Sequence, residues 1–235
     1  MKKRWVGGAA IWILLAVLAG CKAKGTGAAG GDPSFAVQSG RETAGAEAEE
    51  SMAGKDVSSA QEAGGEMPVP DSLSEAIAEQ PVLLTSVGQS ADYEIIKTML
   101  DKIEISSVKN SLASPDDLGD AKTLILAVGG SSKGLGAAGI DANGELKRVE
   151  ELTKAAREKG LTILAVHIGG EARRGDLSDQ FIGPSFERAD YAIVVADGDK
   201  DGLMAGLAVR NGIPMDTVNS MAEVVPKLEA AFKEE

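Results

Sequence analysis

Five glycines, two serines and a lysine crowd the segment AVGGSSKGLGAAGID, residues 127–141, directly behind a run of aliphatic residues. Glycine lets backbone N–H groups turn toward a ligand, and Ser131, Ser132 and Lys133 add hydroxyls and a positive charge. Gly129, Gly130, Ser131, Ser132 and Lys133 are therefore candidates for holding an anion. The same stretch satisfies two further patterns on paper. Gly134-Leu-Gly136-Ala-Ala-Gly139 spells G-x-G-x-x-G, but a dinucleotide turn needs its glycines directly between strand and helix. Here GGSSK intervenes, so NAD and FAD are not expected, and Leu135 after Gly134 breaks a Walker loop. Gly130-Ser131-Ser132-Lys133-Gly134 spells G-x-S-x-G, which would make Ser132 a nucleophile on a strand-to-helix elbow, with His167, the sole histidine, as its base. An elbow must run at once into a helix, and more glycine follows instead. Ser132 and His167 thus define the alternative, hydrolytic reading, against a His167 simply bonded to backbone at a strand end.

Three other stretches carry chemistry. Thr85 to Ser90 resembles the phosphate loop of flavodoxins, making Ser86, Gly88, Gln89 and Ser90 candidates for an anion at a helix N-terminus. Val87 stands where that pattern wants a hydroxyl, and the flanking loops offer Phe181 and Phe186 but no tryptophan for the ring of FMN. Arg173 and Arg174 could form a fork for carboxylate or phosphate, or pair with Glu171, Asp176 and Asp179 beside them. Asp197, Asp199 and Asp201 match the first half of a calcium loop, but Ala208 occupies the closing position that needs a glutamate. Either Asp199 or Asp201 is expected to cap the next helix, with calcium as the other reading. No other metal or cofactor is expected.

These loops need a scaffold. Strands are expected at PVLLTSV, TLILAV, LTILAVHI and YAIVVAD, with a weaker one at EISSVKN and a short one near Ile213. Helical spacing appears in ADYEIIKTMLDKI, ELKRVEELTKAAREKG, DGLMAGLAVRNG and SMAEVVPKLEAAF. Strand and helix in alternation mean an α/β domain, a three-layer parallel sheet of about five strands in a flavodoxin-like or Rossmann-like order. Residues 81–235 suffice for one such domain. Ligands in these sheets bind beyond the carboxyl ends of the strands. The segments GGSSKGLGAAGIDANG and HIGGEARRGDLSDQFIGPSFERAD are read as long loops there.

Upstream, Lys2, Lys3 and Arg4 precede a short apolar run ending in Leu18-Ala19-Gly20-Cys21. Residues 1–20 read as an export signal, and LAGC resembles the lipobox of bacterial lipoproteins, which implies lipidation of Cys21 and an extracytoplasmic domain held to a bacterial membrane. Cys21 is the only cysteine, so no intrachain disulfide forms. Residues 21–80, rich in Gly, Ala, Ser and Glu, read as a flexible tether, with Leu73 and Ile77 spaced for one short docking helix. Losing the leader takes the formal charge from −12 to −15, which argues against nucleic acid as a partner. Both tryptophans also lie in the leader.

The segments LLTSVGQSAD, LAVGGSSKGLGAAGID, HIGGEARRGDLSD and ADYAIVVADGDKDG resemble a family of exported bacterial proteins of unknown function. That resemblance implies one domain behind a leader and tether, and no activity. The expectation from the whole chain is a membrane-anchored binding module for a small anionic ligand, serving a membrane transporter or another envelope protein. The competing classes are the hydrolase above and a protein-interaction module without a small ligand.

Overall fold

The computed structural model describes residues 68–233. Six parallel strands form one sheet in the order β2-β1-β3-β4-β5-β6: β1 Val82–Val87, β2 Ser107–Lys109, β3 Thr123–Val128, β4 Thr162–His167, β5 Tyr191–Val195 and β6 Met215–Val218. The expected count was about five; EISSVKN and the segment near Ile213 both form strands, and these are the two edges. β1, β3 and β5 are buried along their whole length, as strands covered on both faces must be.

Six helices cover the sheet: α1 Asp92–Lys102, α2 Ser132–Ala138, α3 Ala142–Glu158, α4 Asp176–Phe186, α5 Leu203–Asn211 and α6 Met221–Ala231. Handedness decides their sides. The chain moves one way from β1 to β2 and the opposite way from β3 through β6, and right-handed crossovers then place the intervening helices on opposite faces. Accordingly Ile96 and Leu100 of α1, with Val224 and Leu228 of α6, pack on Leu84, Ile125 and Val166. Leu152 of α3, Phe181 of α4 and Met204 of α5 pack on Leu83, Leu124 and Leu126. The direction reverses between β1 and β3, so the crevice above those two strands is the switch point where such sheets take ligands.

Three sequence expectations change. Residues 176–186, read as loop, form α4, whose Phe181, Ile182 and Phe186 are buried core; the aromatics proposed beside a flavin are therefore inside the protein. Residues 132–138, also read as loop, form α2. The segment around Leu73 and Ile77 docks on the domain, but as an extended strap rather than a helix. Its backbone is bonded to the base of the sheet: Met215 N–H donates to Asp71 O (2.8 Å), Ile77 and Ala78 N–H to Ala231 O (3.0 and 2.8 Å). Thr162 Oγ1 donates to Ile77 O (3.2 Å), and Thr123 Oγ1 to Glu79 O (2.7 Å). A helix would have used those groups internally. The strap crosses the base from β6 to β1, at the end opposite the glycine-rich loops. None of the described helices is long and apolar enough to cross a membrane; Cys21 and the leader lie outside the described residues.

Candidate functional site

The loop from β1 to α1 is built from beneath. Gly88 and Gln89 both have positive φ, +92° and +58°, and one buried carboxylate holds the turn. Glu145, on α3, accepts from Gly88 N–H (2.9 Å) and Gln89 Nε2 (3.0 Å). Arg148, one helical turn on, donates to both Glu145 oxygens (2.8 Å each), to Ser86 O (2.6 Å) and to Ala113 O (2.7 Å). Ser86 is buried, with its hydroxyl donating to Ser90 O (3.3 Å), so it shapes the turn from inside. Neither Glu145 nor Arg148 was anticipated. The available signal was a glutamate at the head of the apolar stripe Val149, Leu152, Ala156.

The glycine loop from β3 to α2 lies against that turn. A Cβ at Gly88 would fall 2.7 Å from Gly129 O, one at Gly130 would fall 2.9 Å from the Ser178 backbone, and one at Gly134 would collide with the Gln89 carbonyl. The N–H groups expected to face a ligand have partners inside the protein. Gly129 donates to Val87 O, Ser131 to Gly88 O, Gly130 to Ser178 Oγ (3.0 Å) and Gly134 to Ser131 Oγ (3.0 Å). Most of these glycines permit close packing. Ser131 is the N-cap of α2, so the chain does run from strand into helix at G-x-S-x-G, contrary to expectation, because Gly134 and Gly136 are accommodated within the helix. Gly139 ends that helix in the left-handed region (φ +69°). G-x-G-x-x-G is thus a helix and its cap, not a dinucleotide turn. Ser132 and Lys133 stand exposed in the first turn.

His167 does not reach Ser132. Its ring is buried at the end of β4, where Nε2 donates to Arg173 O (3.3 Å). Nδ1 has no hydrogen-bond partner and is covered by Gly198, at which a Cβ would fall 2.8 Å away. Burial pushes the imidazole pKa down, against a smaller upward pull from Asp92. The ring is therefore a neutral, enclosed prop beneath the β4 loop.

The two arginines have different fates. Arg174 is consumed: Nε and Nη2 bind Asp179 (2.8 and 3.2 Å), Nη1 and Nη2 bind Asp201 (2.9 and 2.8 Å), and Nη1 also binds Gly198 O (2.7 Å). That guanidinium holds the Asp201 carboxyl down at about 2. The remaining acids of DGDKDG are also engaged. Asp199 caps α5 through Met204 and Ala205 N–H (2.7 and 2.9 Å), and Asp197 pairs with Lys200 (2.6 Å). Among the described residues no group of three acidic, histidine or cysteine side chains is arranged to hold a metal.

Arg173 is held differently. Its Nε alone reaches the two oxygens of Asp92 (3.2 and 3.1 Å), the buried first residue of α1. Its terminal Nη1 and Nη2 make no hydrogen bond among the described residues, and the side chain is one-third exposed. Gly129 makes room for the assembly, since a Cβ there would touch Ser90 Oγ (3.2 Å), Asp92 (3.3 Å) and Arg173 Cδ (3.4 Å). Separately, a groove of about 570 Å³ runs between α1 and α2, with Ser90, Ser131 and Lys133 among its lining but not Arg173 or Asp92. The structure thus gathers Gly88, Gln89, Ser90, Gly129, Ser131, Lys133 and Arg173 around the switch point. It commits Ser86, His167 and Arg174 to support.

A family model described as "Domain of unknown function (DUF6305)" matches residues 79–232. The chain belongs to this family. The match takes in all four quoted segments, so the resemblance to a family of unknown function holds for the whole DUF6305 domain. No curated protein matches. Among solved structures the chain is similar to a mutant of the esterase AlinE4, at 10% identity over 70% of this chain and 86% of that one, with a TM-score of 0.28. A likeness that slight says nothing about the chemistry of the DUF6305 domain.

Proposed function

We propose that the DUF6305 domain is a binding module that captures a small anion in the crevice above β1 and β3. One observation carries this reading: Asp92 fixes Arg173 through Nε and leaves the two-pronged outer edge of the guanidinium without a protein partner among the described residues, at the open end of the sheet. A pre-oriented fork of that kind matches a carboxylate or phosphate, and its entropy of ordering is already met by the Asp92 pair. Lys133 adds a second cation with no acidic partner among the described residues. The lipobox-like LAGC supports the further reading that Cys21 anchors the module outside the cytoplasmic membrane, where captured anion would pass to a transporter or other envelope partner.

Arg173→Lys tests the capture step. Lysine keeps the charge beside Asp92 but has one ammonium, which that carboxylate occupies. Calorimetric titration of the full chain with phosphate, sulfate and acetate should show binding that falls at least tenfold in the variant, with the urea midpoint little changed. Equal binding by Arg173→Lys, or none by the parent, refutes the reading. The anchor is tested separately by metabolic labelling with a clickable palmitate, which Cys21→Ser should abolish.

A further inference from the structure

We infer that the group captured at Arg173 carries a single negative charge, as a carboxylate or a phosphodiester does, and that phosphate monoesters and sulfate are disfavoured there. The inference rests on anion capture at Arg173 and deepens it. The fork is a cation whose charge is already balanced. Asp92 lies 3.1 Å from Nε with a side chain only 7% exposed, so water does little to screen its charge from a ligand on the outer edge. Gly169 permits that closeness: a Cβ there would fall 1.8 Å from Arg173 Cγ and 2.9 Å from Asp92 Oδ2. What Nη1 and Nη2 offer is therefore geometry, a two-pronged donor on a pair that is neutral as a whole.

The loops around the fork add no spare cation. A Cβ at Gly170, the residue after Gly169, would lie 3.2 Å from Asp197 Oδ2, so a second carboxylate borders the same loop. Lys200 is shared between Asp197 (2.6 Å) and Glu171 (2.8 Å), and Arg174 between Asp179 and Asp201 (2.8 Å each). Each of these two clusters keeps one negative charge in excess. Lys133 lines the separate groove between α1 and α2, to which neither Arg173 nor Asp92 belongs. A singly charged group on the outer edge exchanges its water for two charge-assisted hydrogen bonds. A doubly charged one gives up far stronger hydration, and its second charge meets Asp92 and the surplus acids instead of a cation.

The experiment titrates the full chain calorimetrically at constant ionic strength and a pH of about 8, where methyl phosphate is divalent. Acetate and dimethyl phosphate are the monovalent probes, methyl phosphate and sulfate the divalent ones. The better monovalent probe should bind about fivefold or more tightly than either divalent one, and the order of acetate and dimethyl phosphate tells carboxylate from phosphodiester. Asp92→Asn keeps an oxygen for Nε but removes the charge, and should raise divalent affinity relative to monovalent by about fivefold or more. Glu171→Gln, which leaves the fork untouched, should move that ratio the same way by about twofold. Divalent probes that bind the parent as tightly as monovalent ones, with Arg173→Lys abolishing all four, overturn the single charge and leave anion capture standing. A ratio unmoved in both carboxylate variants overturns it equally. If none of the four probes binds, both readings fall.

Discussion

Arg148→Met removes the cation beside Glu145. Glu145 is fully buried, and its remaining partners would be two neutral donors, Gly88 N–H and the Gln89 amide. A buried carboxylate stripped of its cation costs about 3–5 kcal/mol, or roughly 6–20 °C in melting temperature for a domain of this size. The converse change is milder. Glu145→Gln leaves Arg148 with Ser86 O and Ala113 O and an 11% solvent exposure, a loss of about 2 kcal/mol for charge-assisted hydrogen bonds. Combining the two changes inverts the usual order, since the introduced amide oxygen still accepts from Gly88 and no orphaned charge remains. The double variant should therefore be more stable than Arg148→Met alone, by about 1–3 kcal/mol, a coupling far outside simple additivity. Urea unfolding of the parent, both singles and the double closes the cycle. A double variant less stable than Arg148→Met would mean that Glu145 is not stranded as a charge, and the account of how the β1 turn is held would fall.

Gly134 and Gly136 lie two residues apart in α2 and should respond oppositely to alanine. Gly134→Ala drives a methyl into the Gln89 carbonyl and should cost about 1–3 kcal/mol, whereas Gly136 has nothing within 4 Å of its missing Cβ and should gain about 0.5–1 kcal/mol of helix propensity; thermal melts of the two variants decide it. His167 makes stability depend on pH. Its folded pKa lies below the unfolded value of about 6.5, so the unfolded chain binds the extra proton, and stability is full above that value and lost as pH falls from it toward the folded pKa, by at most about 1.4 kcal/mol per pH unit. Asp92 and Arg174, the charged groups acting on the ring, pull in opposite directions. Urea unfolding from pH 8 to pH 5 should show this slope in the parent and lose one proton's share of it in His167→Gln; an unchanged slope would place the effect elsewhere.

The strands were legible because each of TLILAV, TILAVH and YAIVV is a continuous apolar run, a signal that needs no tertiary information. Alternation of those runs with helical stretches was enough for the layer architecture and the end at which to look for a site. Helices α2 and α4 were missed because Gly134, Gly136, Gly183 and Pro184 mask helical propensity, and only the burial of Leu135, Phe181 and Phe186 restores it. The strap misled in the other direction: Leu73 and Ile77 are spaced for a helix, but the backbone finds better partners at the strand ends. At the site, Arg173 and Arg174 were equally visible in sequence. What separates them is Asp92, 81 residues away, on one, and Asp201, 27 residues away, on the other. That the glycine loop bonds several of its own N–H groups inside the protein was not legible, since a freed backbone and a tightly packed one ask for the same residue.

The strap across the base has a mechanical consequence. A pull on the chain ahead of Pro68 reaches the isolated bonds at Asp71, Ile77, Ala78 and Glu79 one after another, so they peel singly at low force. Only then does tension enter β1, where six rungs with β3 are loaded together in shear. The stretch from Asp71 to Gln80, once peeled and drawn straight, extends about 35 Å. The domain thus has a built-in length of slack, which absorbs tension at its base before any of it reaches the crevice at the other end.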